Sequence, residues 1–264
     1  MRLLAVLLMA ASCSPGQGAP APQPTPSPSP TGPQRLAVKV ISTRPHDTSA
    51  YTQGLVWHEG RLYESAGQYG ESSLRQVDPA TGAVLRRVDL PRRYFAEGLA
   101  RVGDRLIQIT WNEGVALVYR LSDLEKVGEL RYPGEGWGLC HDGARLVMSN
   151  GSDRLAFRNP ETFALLHEVR VRMGGAPVDR LNELECVDGA VYANVYQTES
   201  IVRIDPATGE VTAVIDASGL LGAADYQAGA EVLNGIAWMP ETKRFLITGK
   251  NWPLMFEVEL VPKP

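Results

Sequence analysis

A glutamate stands among aromatic residues in Phe95-Ala96-Glu97-Gly98-Leu99, and Trp111 follows it in the chain. Aromatic neighbours exclude water from a carboxylate, and this loss of hydration raises the pKa of the carboxyl group. A carboxyl group with a pKa near neutrality can take a proton from one reacting group and return it to another. The sequence therefore indicates Glu97 as an acid-base group, with Glu64 and Glu183 in reserve; a salt bridge at a channel mouth is the structural alternative.

The segment around Glu97 is one of five related segments, so the chain contains an internal repeat. The corresponding positions are Gly54, Gly98, Gly138, Leu184 and Gly235. They lie 44, 40, 46 and 51 residues apart, a period typical of one four-stranded blade of a β-propeller. Each segment leads into a turn and a short apolar stretch, which predicts a hairpin.

A second turn recurs later in the unit, as Asp78-Pro79-Ala80-Thr81-Gly82, as Asp205-Pro206-Ala207-Thr208-Gly209, and more weakly at Asn159-Pro160. The fifth unit is too short to contain this turn. We expect residues 36–42 to supply its missing outer strand and so to protect the sheet edges. The prediction is an all-β, five-bladed β-propeller whose last blade is closed by the N-terminal strand; a β-sandwich is the alternative.

In such a repeat, the starts of the inner strands and the ends of the second strands share one rim. Aromatic and carboxamide side chains dominate that rim, as in pockets for small ligands. It contains Tyr51, Gln53, Phe95, Glu97, Trp111, Trp137, Asn182, Glu183, Asn194, Tyr196, Asn234, Lys250 and Trp252.

The repeat also aligns two of the three cysteines. The column two residues after the shared position contains small, mostly apolar residues, among them Cys140 and Cys186. Such a column is expected to pack between blades, so we predict buried free thiols. An oxidising compartment would permit a disulfide instead.

The first 34 residues are typical of an export signal and a tether. Met1-Arg2, an apolar run and Ala10-Ala11-Ser12-Cys13 resemble a lipoprotein signal, which predicts lipidation of Cys13 after a signal at residues 1–13. An ordinary secretory signal is the alternative. Residues 14–34 contain eight prolines and predict a disordered tether. Residues 35–264 form the predicted propeller domain of an exported, periplasmic, monomeric lipoprotein.

Composition excludes several classes. The net charge is −4 and no basic block is present, so nucleic acid is not an expected partner. The four histidines lack metal-ligand spacing, which argues against a zinc enzyme. Phosphate-loop, nucleophile-elbow and dinucleotide motifs do not occur. Asp153 and Asp179 are candidate ligands of a structural calcium ion.

Several motifs, in order and in register with the repeat, resemble the plant-type glutaminyl-peptide cyclotransferases of plants and bacteria. The resemblance covers residues 36–260. It rests on Pro45-His46-Asp47, Tyr51-Thr52-Gln53-Gly54-Leu55, Tyr63-Glu64-Ser65 through Tyr69-Gly70, Phe95-Ala96-Glu97-Gly98-Leu99, Thr110-Trp111, Gly134-Glu135-Gly136-Trp137-Gly138, Leu181-Asn182-Glu183-Leu184-Glu185, Leu233-Asn234-Gly235-Ile236-Ala237 and Thr248-Gly249-Lys250 with Trp252.

The resemblance implies a five-bladed propeller and an acyltransferase that converts the N-terminal glutamine of peptides or proteins to pyroglutamate, with release of ammonia and without a catalytic metal. It implies that Glu97 is the catalytic carboxylate. Lys250 and Asn182 are candidate donors to the oxyanion. The implied substrate-binding residues are Tyr51, Gln53, Phe95, Trp111, Trp137, Asn182, Tyr196 and Lys250. Tyr196 stands where the family usually has Trp, and Tyr51 where Phe is common.

Two other classes of function use the same rim. A non-catalytic propeller would bind a peptide or sugar between the aromatic side chains. A calcium-dependent propeller lactonase would need Glu, Asn and Asp side chains clustered around a metal ion.

Overall fold

The computed structural model of the protein describes residues 32–263, which are built almost entirely from β-strands. A five-residue helix, α1 (Ala223–Gln227), interrupts them. The expected all-β class is confirmed. Within this part of the chain, no helix combines the length and apolar character needed to cross a membrane. The predicted signal, the lipidation site Cys13 and residues 14–31 of the predicted tether lie outside the described residues.

Three antiparallel four-stranded sheets follow one another along the chain, each with its strands in sequence order. The first contains β2 (Thr52–His58), β3 (Arg61–Ala66), β4 (Ser73–Val77) and β5 (Val84–Asp89). The second contains β6 (Ala96–Val102), β7 (Arg105–Thr110), β8 (Val115–Arg120) and β9 (Lys126–Arg131). The third contains β10 (Leu139–His141), β11 (Leu146–Met148), β12 (Arg154–Arg158) and β13 (Leu165–Arg170).

An eight-stranded sheet contains the remaining large strands and consists of two antiparallel halves. A separate two-stranded hairpin, β14 (Arg172–Met173) and β15 (Ala176–Pro177), lies between β13 and β16 in the chain. One half contains β16 (Leu181–Val187), β17 (Ala190–Val195), β18 (Ser200–Ile204) and β19 (Val211–Asp216). The other contains β20 (Leu233–Met239), β21 (Arg244–Gly249), β22 (Leu254–Pro262) and β1 (Gln34–Pro45).

The N-terminal strand completes the last half-sheet, as predicted for residues 36–42. β1 pairs antiparallel with β22, with Val38 opposite Leu260. It extends beyond the predicted bounds and also pairs in parallel with β19, with Gln34 opposite Ala213. Both edges of β1 are therefore hydrogen-bonded, which removes two exposed sheet edges.

The recurrent second turns form as expected, because an Asp or Asn side chain accepts hydrogen bonds from the backbone of the turn. Asp78 Oδ1 accepts from the backbone N–H groups two and three residues later, at 2.8 and 3.0 Å. Asn159 Oδ1 accepts the equivalent pair, both at 2.9 Å. Gly82 and Gly209 take the left-handed conformation that ends the turn, with φ of 70° and 77°.

The first strands of the units contact one another in a closed order, β2 to β6 to β10 to β16 to β20 and back to β2. Glycines allow this approach: a Cβ on Gly54 would lie 2.6 Å from the backbone nitrogen of Leu99, and Gly98 is crowded in the same way by Leu139. Apolar side chains of neighbouring sheets belong to shared core clusters, for example Leu74 of β4 and Leu106 of β7. The arrangement is propeller-like.

Polar side chains satisfy backbone groups on the unpaired edges of these inner strands. The carboxylate of Glu183 accepts hydrogen bonds from Leu55 N–H at 3.3 Å and from Ile236 N–H at 2.9 Å. Glu185 accepts from Trp238 N–H at 3.0 Å. Buried N–H groups need such partners, so these two carboxylates connect β16 to the inner strands of other units.

The prediction of free thiols at Cys140 and Cys186 is wrong, because the two residues form a disulfide. Equivalent positions of consecutive repeats face each other where β10 packs against β16. The expectation that this repeat position packs between sheets is confirmed. The same packing brings the sulfur atoms of Cys140 and Cys186 together.

Replacing both cysteines (Cys140→Ala with Cys186→Ala) is expected to lower the free energy of unfolding by about 2–4 kcal/mol. The bond joins residues 46 positions apart, so its loss increases the conformational entropy of the unfolded chain. Guanidinium denaturation of the two proteins measures the difference. A reductant should destabilise the wild type and leave the double variant unchanged; equal unfolding midpoints without reductant would contradict the prediction.

Candidate active site

Nine predicted site residues line one cavity of about 270 Å³. They come from the starts of inner strands, from the ends of second strands and from the loops that follow them. A tenth lining residue, Gln68, was not predicted. The lining consists of Tyr51, Gln53, Gln68, Phe95, Glu97, Trp111, Trp137, Asn182, Tyr196 and Lys250.

Irregularities in strand pairing direct several of these side chains into the cavity. The register between β2 and β3 shifts between Thr52 and Gly54, and that between β6 and β7 shifts between Ala96 and Leu99. Gln53 and Glu97 lie within these two shifts. Bulges of this kind re-aim a side chain and are frequent beside active sites.

Glu97 is 5% exposed, and Oε1 accepts a hydrogen bond from Gln53 Nε2 at 3.0 Å. Asn234 fixes the orientation of Gln53, because its Nδ2 donates to Gln53 Oε1 at 3.1 Å and to the carbonyl of Thr52 at 2.9 Å. Within residues 32–263, no Lys, Arg or His nitrogen lies within 4.0 Å of the Glu97 carboxylate. The carboxylate is therefore buried with a neutral partner.

Burial raises the pKa of Glu97 well above its ordinary value, and the charges of Glu113 and Glu135 add to this effect. The charge of Lys250 acts in the opposite direction and does not outweigh burial. The predicted rise in the pKa of Glu97 is thus confirmed, and its cause is loss of hydration without a compensating ion pair.

Lys250 supplies a cation inside the cavity. It is 4% exposed, and its Nζ lies 4.6 Å from the ring centre of Tyr51 and 5.1 Å from that of Tyr196. Burial lowers the pKa of Lys250, while Glu97 and Glu231 partly restore it. The two aromatic rings stabilise the ammonium by cation–π attraction.

The side chain of Asn182 is 2% exposed, and its Oδ1 has no hydrogen-bond partner among the described residues. A buried, unpaired carboxamide is unfavourable. Because Asn182 lines the cavity, a ligand with an N–H group can satisfy this oxygen.

Two tryptophans form one wall and share one acceptor. Trp111 Nε1 and Trp137 Nε1 donate to the same oxygen of Glu135, at 2.8 and 3.0 Å. Trp137 also packs edge-on against Tyr196, with ring centres 5.5 Å apart. Glu135 therefore sets the orientation of both indoles.

A second group of aromatic rings surrounds Phe95. Its ring makes edge-on contacts with Tyr51, Tyr69 and Trp111, with ring centres 6.2, 5.3 and 5.6 Å away. The hydroxyl of Tyr69 donates to Glu113 at 2.8 Å. This network holds an apolar surface beside Glu97.

Four residues predicted for the rim do not line the cavity. Glu183 accepts backbone hydrogen bonds from other inner strands, and Asn194 Oδ1 accepts from Gly235 N–H at 3.0 Å. Asn234 orients Gln53 from behind, and Trp252 is 1% exposed in the core. Glu183, Asn194 and Asn234 therefore join strands of different units, and Trp252 packs in the apolar core.

The reserve candidate Glu64 is bound inside the fold. Its Oε1 accepts from His46 Nε2 at 2.9 Å and from Thr52 Oγ1 at 2.8 Å. Burial acts to raise the pKa of Glu64, but His46, Arg75 and Thr52 outweigh it and hold that pKa below its ordinary value. In Glu183, by contrast, burial and Glu185 raise the carboxyl pKa well above its ordinary value.

Gln68 lies in the loop after β3 and has φ of 99°. The ends of second strands share the rim with the starts of inner strands. Applied to β3, this rule predicts that the loop after β3 reaches the cavity.

Between residues 32 and 263, no three His, Cys, Asp or Glu side chains are arranged to hold a metal ion. Asp153 pairs with Arg170 at 3.4 Å and Asp179 lies 3.8 Å from Arg180. These two aspartates therefore have basic neighbours.

Comparison with known proteins gives consistent results. A family model described as "Glutamine cyclotransferase" matches residues 5–260. A protein of Arabidopsis thaliana named "Glutaminyl-peptide cyclotransferase" is 39% identical over 229 residues, which are 84% of this chain and 71% of the relative. The crystal structure of Myxococcus xanthus glutaminyl cyclase superposes with a TM-score of 0.80 at 41% identity, covering 88% of this chain and 100% of that one.

Glu97→Gln and Glu64→Gln are expected to change stability in opposite directions at pH 7.5. The pKa of Glu97 is higher in the folded than in the unfolded chain. Its contribution to stability is therefore present at pH below the unfolded-state pKa and is lost as the pH rises through the folded-state pKa. Glu97→Gln should therefore gain roughly 0.5–2 kcal/mol at pH 7.5. The pKa of Glu64 is lower in the folded chain, so its contribution to stability is present at pH above the unfolded-state pKa. At pH 7.5, Glu64→Gln should therefore lower the free energy of unfolding by about 3 kcal/mol.

Urea denaturation of both variants and the wild type at pH 4 and pH 7.5 measures these differences. The Glu97 difference should shrink at pH 4, because the wild-type carboxyl group is then neutral, as glutamine is. The Glu64 difference should shrink only in part, because the unfolded chain begins to bind a proton there while the folded carboxyl group, with its lowered pKa, keeps its charge. Destabilisation of Glu97→Gln at pH 7.5 would show that the Glu97 carboxylate has a stabilising partner.

Proposed function

The chain belongs to the glutamine cyclotransferase family, and we propose that the cavity around Glu97 is where it converts N-terminal glutamine to pyroglutamate. The protein is a glutaminyl-peptide cyclotransferase, an acyltransferase acting on peptides or proteins that begin with glutamine. The observation that carries the site assignment is a buried carboxylate with a neutral hydrogen-bond partner in an aromatic cavity.

The reaction is an intramolecular acyl transfer. The α-amine nitrogen attacks the side-chain carbonyl carbon, a new C–N bond closes the five-membered ring, and the original C–N bond breaks to release ammonia. The substrate supplies its own nucleophile, so the enzyme must hold the reacting rotamer, remove a proton from the attacking amine and protonate the leaving nitrogen.

Glu97 is the group proposed for both proton transfers. Its raised pKa suits alternating acceptance and donation of a proton, and Gln53 fixes the position of one oxygen. Glu64 and Glu183 are less suited, because their carboxylates already bind groups inside the fold and do not line the cavity.

The oxyanion that forms during attack needs positive partners. Lys250 Nζ and the amide N–H of Asn182 are the donors on the cavity lining that we propose for this role. Preorganised donors of this kind stabilise charge that develops in the transition state. The remaining predicted residues are proposed to bind the substrate, the aromatic ones by enclosing the glutamine side chain: Tyr51, Gln53, Phe95, Trp111, Trp137 and Tyr196.

We also propose a five-bladed propeller as the architecture. The three four-stranded sheets and the two halves of the eight-stranded sheet would each be one blade, and β1 would close the last one. The closed order of contacts among the inner strands supports this assignment.

The proposed cellular context follows from the N-terminal sequence. Residues 1–13 would direct export and end at a lipidated Cys13, and the proline-rich tether would connect this anchor to a monomeric periplasmic domain. The membrane would be contacted only through the lipid.

Glu97→Gln is expected to lower kcat/KM for a Gln-initiated peptide by about 10²- to 10⁴-fold, since general acid-base catalysis is lost. In the wild type, kcat/KM should rise with pH through the raised pKa of Glu97. Residual activity of the variant should lack this limb and keep only the one that belongs to the α-amine of the substrate. Ammonia release and the matching mass loss, followed between pH 4 and 9, measure both effects.

Glu185→Gln is the matched control, because burial raises the pKa of Glu185 to about 8 although it lies outside the cavity. Its turnover should stay within a few-fold of wild type. Near-normal turnover by folded Glu97→Gln would refute the assignment of Glu97. A folded wild type that binds such peptides without releasing ammonia would instead favour a binding propeller.

We propose that catalysis needs no metal, so cyclisation should be unchanged by prior dialysis against EDTA. The chemistry described above assigns each proton transfer and the oxyanion to side chains. Ammonia release before dialysis, after dialysis and after adding Ca²⁺ or Zn²⁺ checks this. Activity lost on dialysis and restored by an ion would contradict the proposal, and chelator-sensitive lactone hydrolysis would favour the lactonase.

A further inference from the structure

A second cavity of about 450 Å³ lies beside the proposed catalytic one. It is formed by the loop after β17, by α1 and by the segment that leads into β20. Its lining residues are Gln197, Thr198, Glu199, Tyr226, Glu231, Val232 and Leu233.

The two cavities share a wall. The backbone of residues 231–232 pairs with that of Lys250, through Glu231 N–H to Lys250 C=O at 2.8 Å and Lys250 N–H to Val232 C=O at 3.0 Å. Gln197 directly follows Tyr196, which lines the first cavity. After burial, the Glu231 charge is the next largest influence raising the pKa of Tyr51. Glu231 therefore acts on both cavities.

A peptide substrate must continue out of the first cavity beyond its reacting residue. Each further residue extends the chain by up to about 3.3–3.6 Å. Trp111 and Trp137 form another part of the lining and are held by Glu135. The wall shared with the second cavity offers the next residues of a peptide a recess in which to bind.

The charged groups of this second cavity are acidic. Its lining includes the carboxylates of Glu199 and Glu231 and no Lys or Arg. Within residues 32–263, neither carboxylate lies within 4.0 Å of a basic nitrogen. The Lys250 charge acts on Glu231 only from beyond that distance. The two carboxylates therefore leave the cavity acidic, so that it attracts a cationic group.

An aromatic surface lies next to these charges. Tyr226 is 39% exposed, and its hydroxyl donates to Glu199 Oε1 at 3.3 Å. A long basic side chain can lay its methylene groups on the ring and direct its charge to the carboxylates. A short or acidic side chain gains neither contact.

We propose that this second cavity binds a lysine or arginine side chain at position two or three of the substrate. The enzyme would then prefer Gln-initiated peptides with a basic residue directly after the glutamine or one position later. This inference rests on the proposed catalytic cavity and specifies the substrates it receives.

The test compares kcat/KM for amidated peptides beginning Gln-Ala-Ala, Gln-Lys-Ala, Gln-Ala-Lys and Gln-Glu-Ala, by ammonia release. The better lysine peptide is expected to exceed the all-alanine peptide by about 2- to 5-fold, the upper range of exposed ion pairs. The glutamate peptide should be slower than the all-alanine one. The preference should decline at 0.5 M NaCl because salt screens the carboxylates.

Glu199→Gln should reduce the lysine-to-alanine ratio at least twofold. Glu210→Gln is the control with the same charge change, in the turn between β18 and β19 at the opposite end of the strands from Tyr196. An equal loss in both variants, or equal kcat/KM for the lysine and all-alanine peptides, would overturn the inference. Failure to cyclise any peptide, including the all-alanine one, would overturn the proposed function instead.

Discussion

The inner strands surround one axis, and each has a backbone edge that pairs with no other strand. Many of the buried polar side chains bind the backbone groups of these edges. Each buried N–H on such an edge must find an acceptor outside its own sheet. Glu183 supplies two acceptors to inner strands of other units, and Asn194 supplies one to Gly235. These two side chains, which the sequence alone places on the rim of a channel, therefore join the units instead.

The proposed catalytic cavity uses the same geometry in another way. At Gln53 and Glu97, the bulges turn side chains towards the cavity rather than onto a neighbouring edge. Asn234 links the two uses, because its amide binds the carbonyl of Thr52 and also orients Gln53. The hydrogen bonds of the cavity are therefore continuous with those that join the inner strands.

Three buried glutamates show how environment separates function from structure. Glu64 has a histidine partner and a lowered pKa, and Glu183 is bonded to two backbone N–H groups. Glu97 has one neutral donor, a nearby but unpaired lysine, and aromatic neighbours that exclude water. A carboxylate that is buried without an ion-pair partner lowers the stability of the fold. The same environment suits the proton transfers proposed for Glu97, which is the usual conflict between stability and activity.

The sequence alone was sufficient for the all-β class, for the role of residues 36–42 as a strand beside β22, and for nine of the ten cavity residues. Those features repeat locally, so spacing and turn chemistry reveal them. Tertiary structure decided which carboxylate stays unpaired, joined Cys140 to Cys186, and brought Gln68 and the second cavity beside the site. Each of these depends on contacts between segments distant in the chain. A repeat shows which column a residue occupies, but its partner belongs to another unit, and only packing specifies the distance between them.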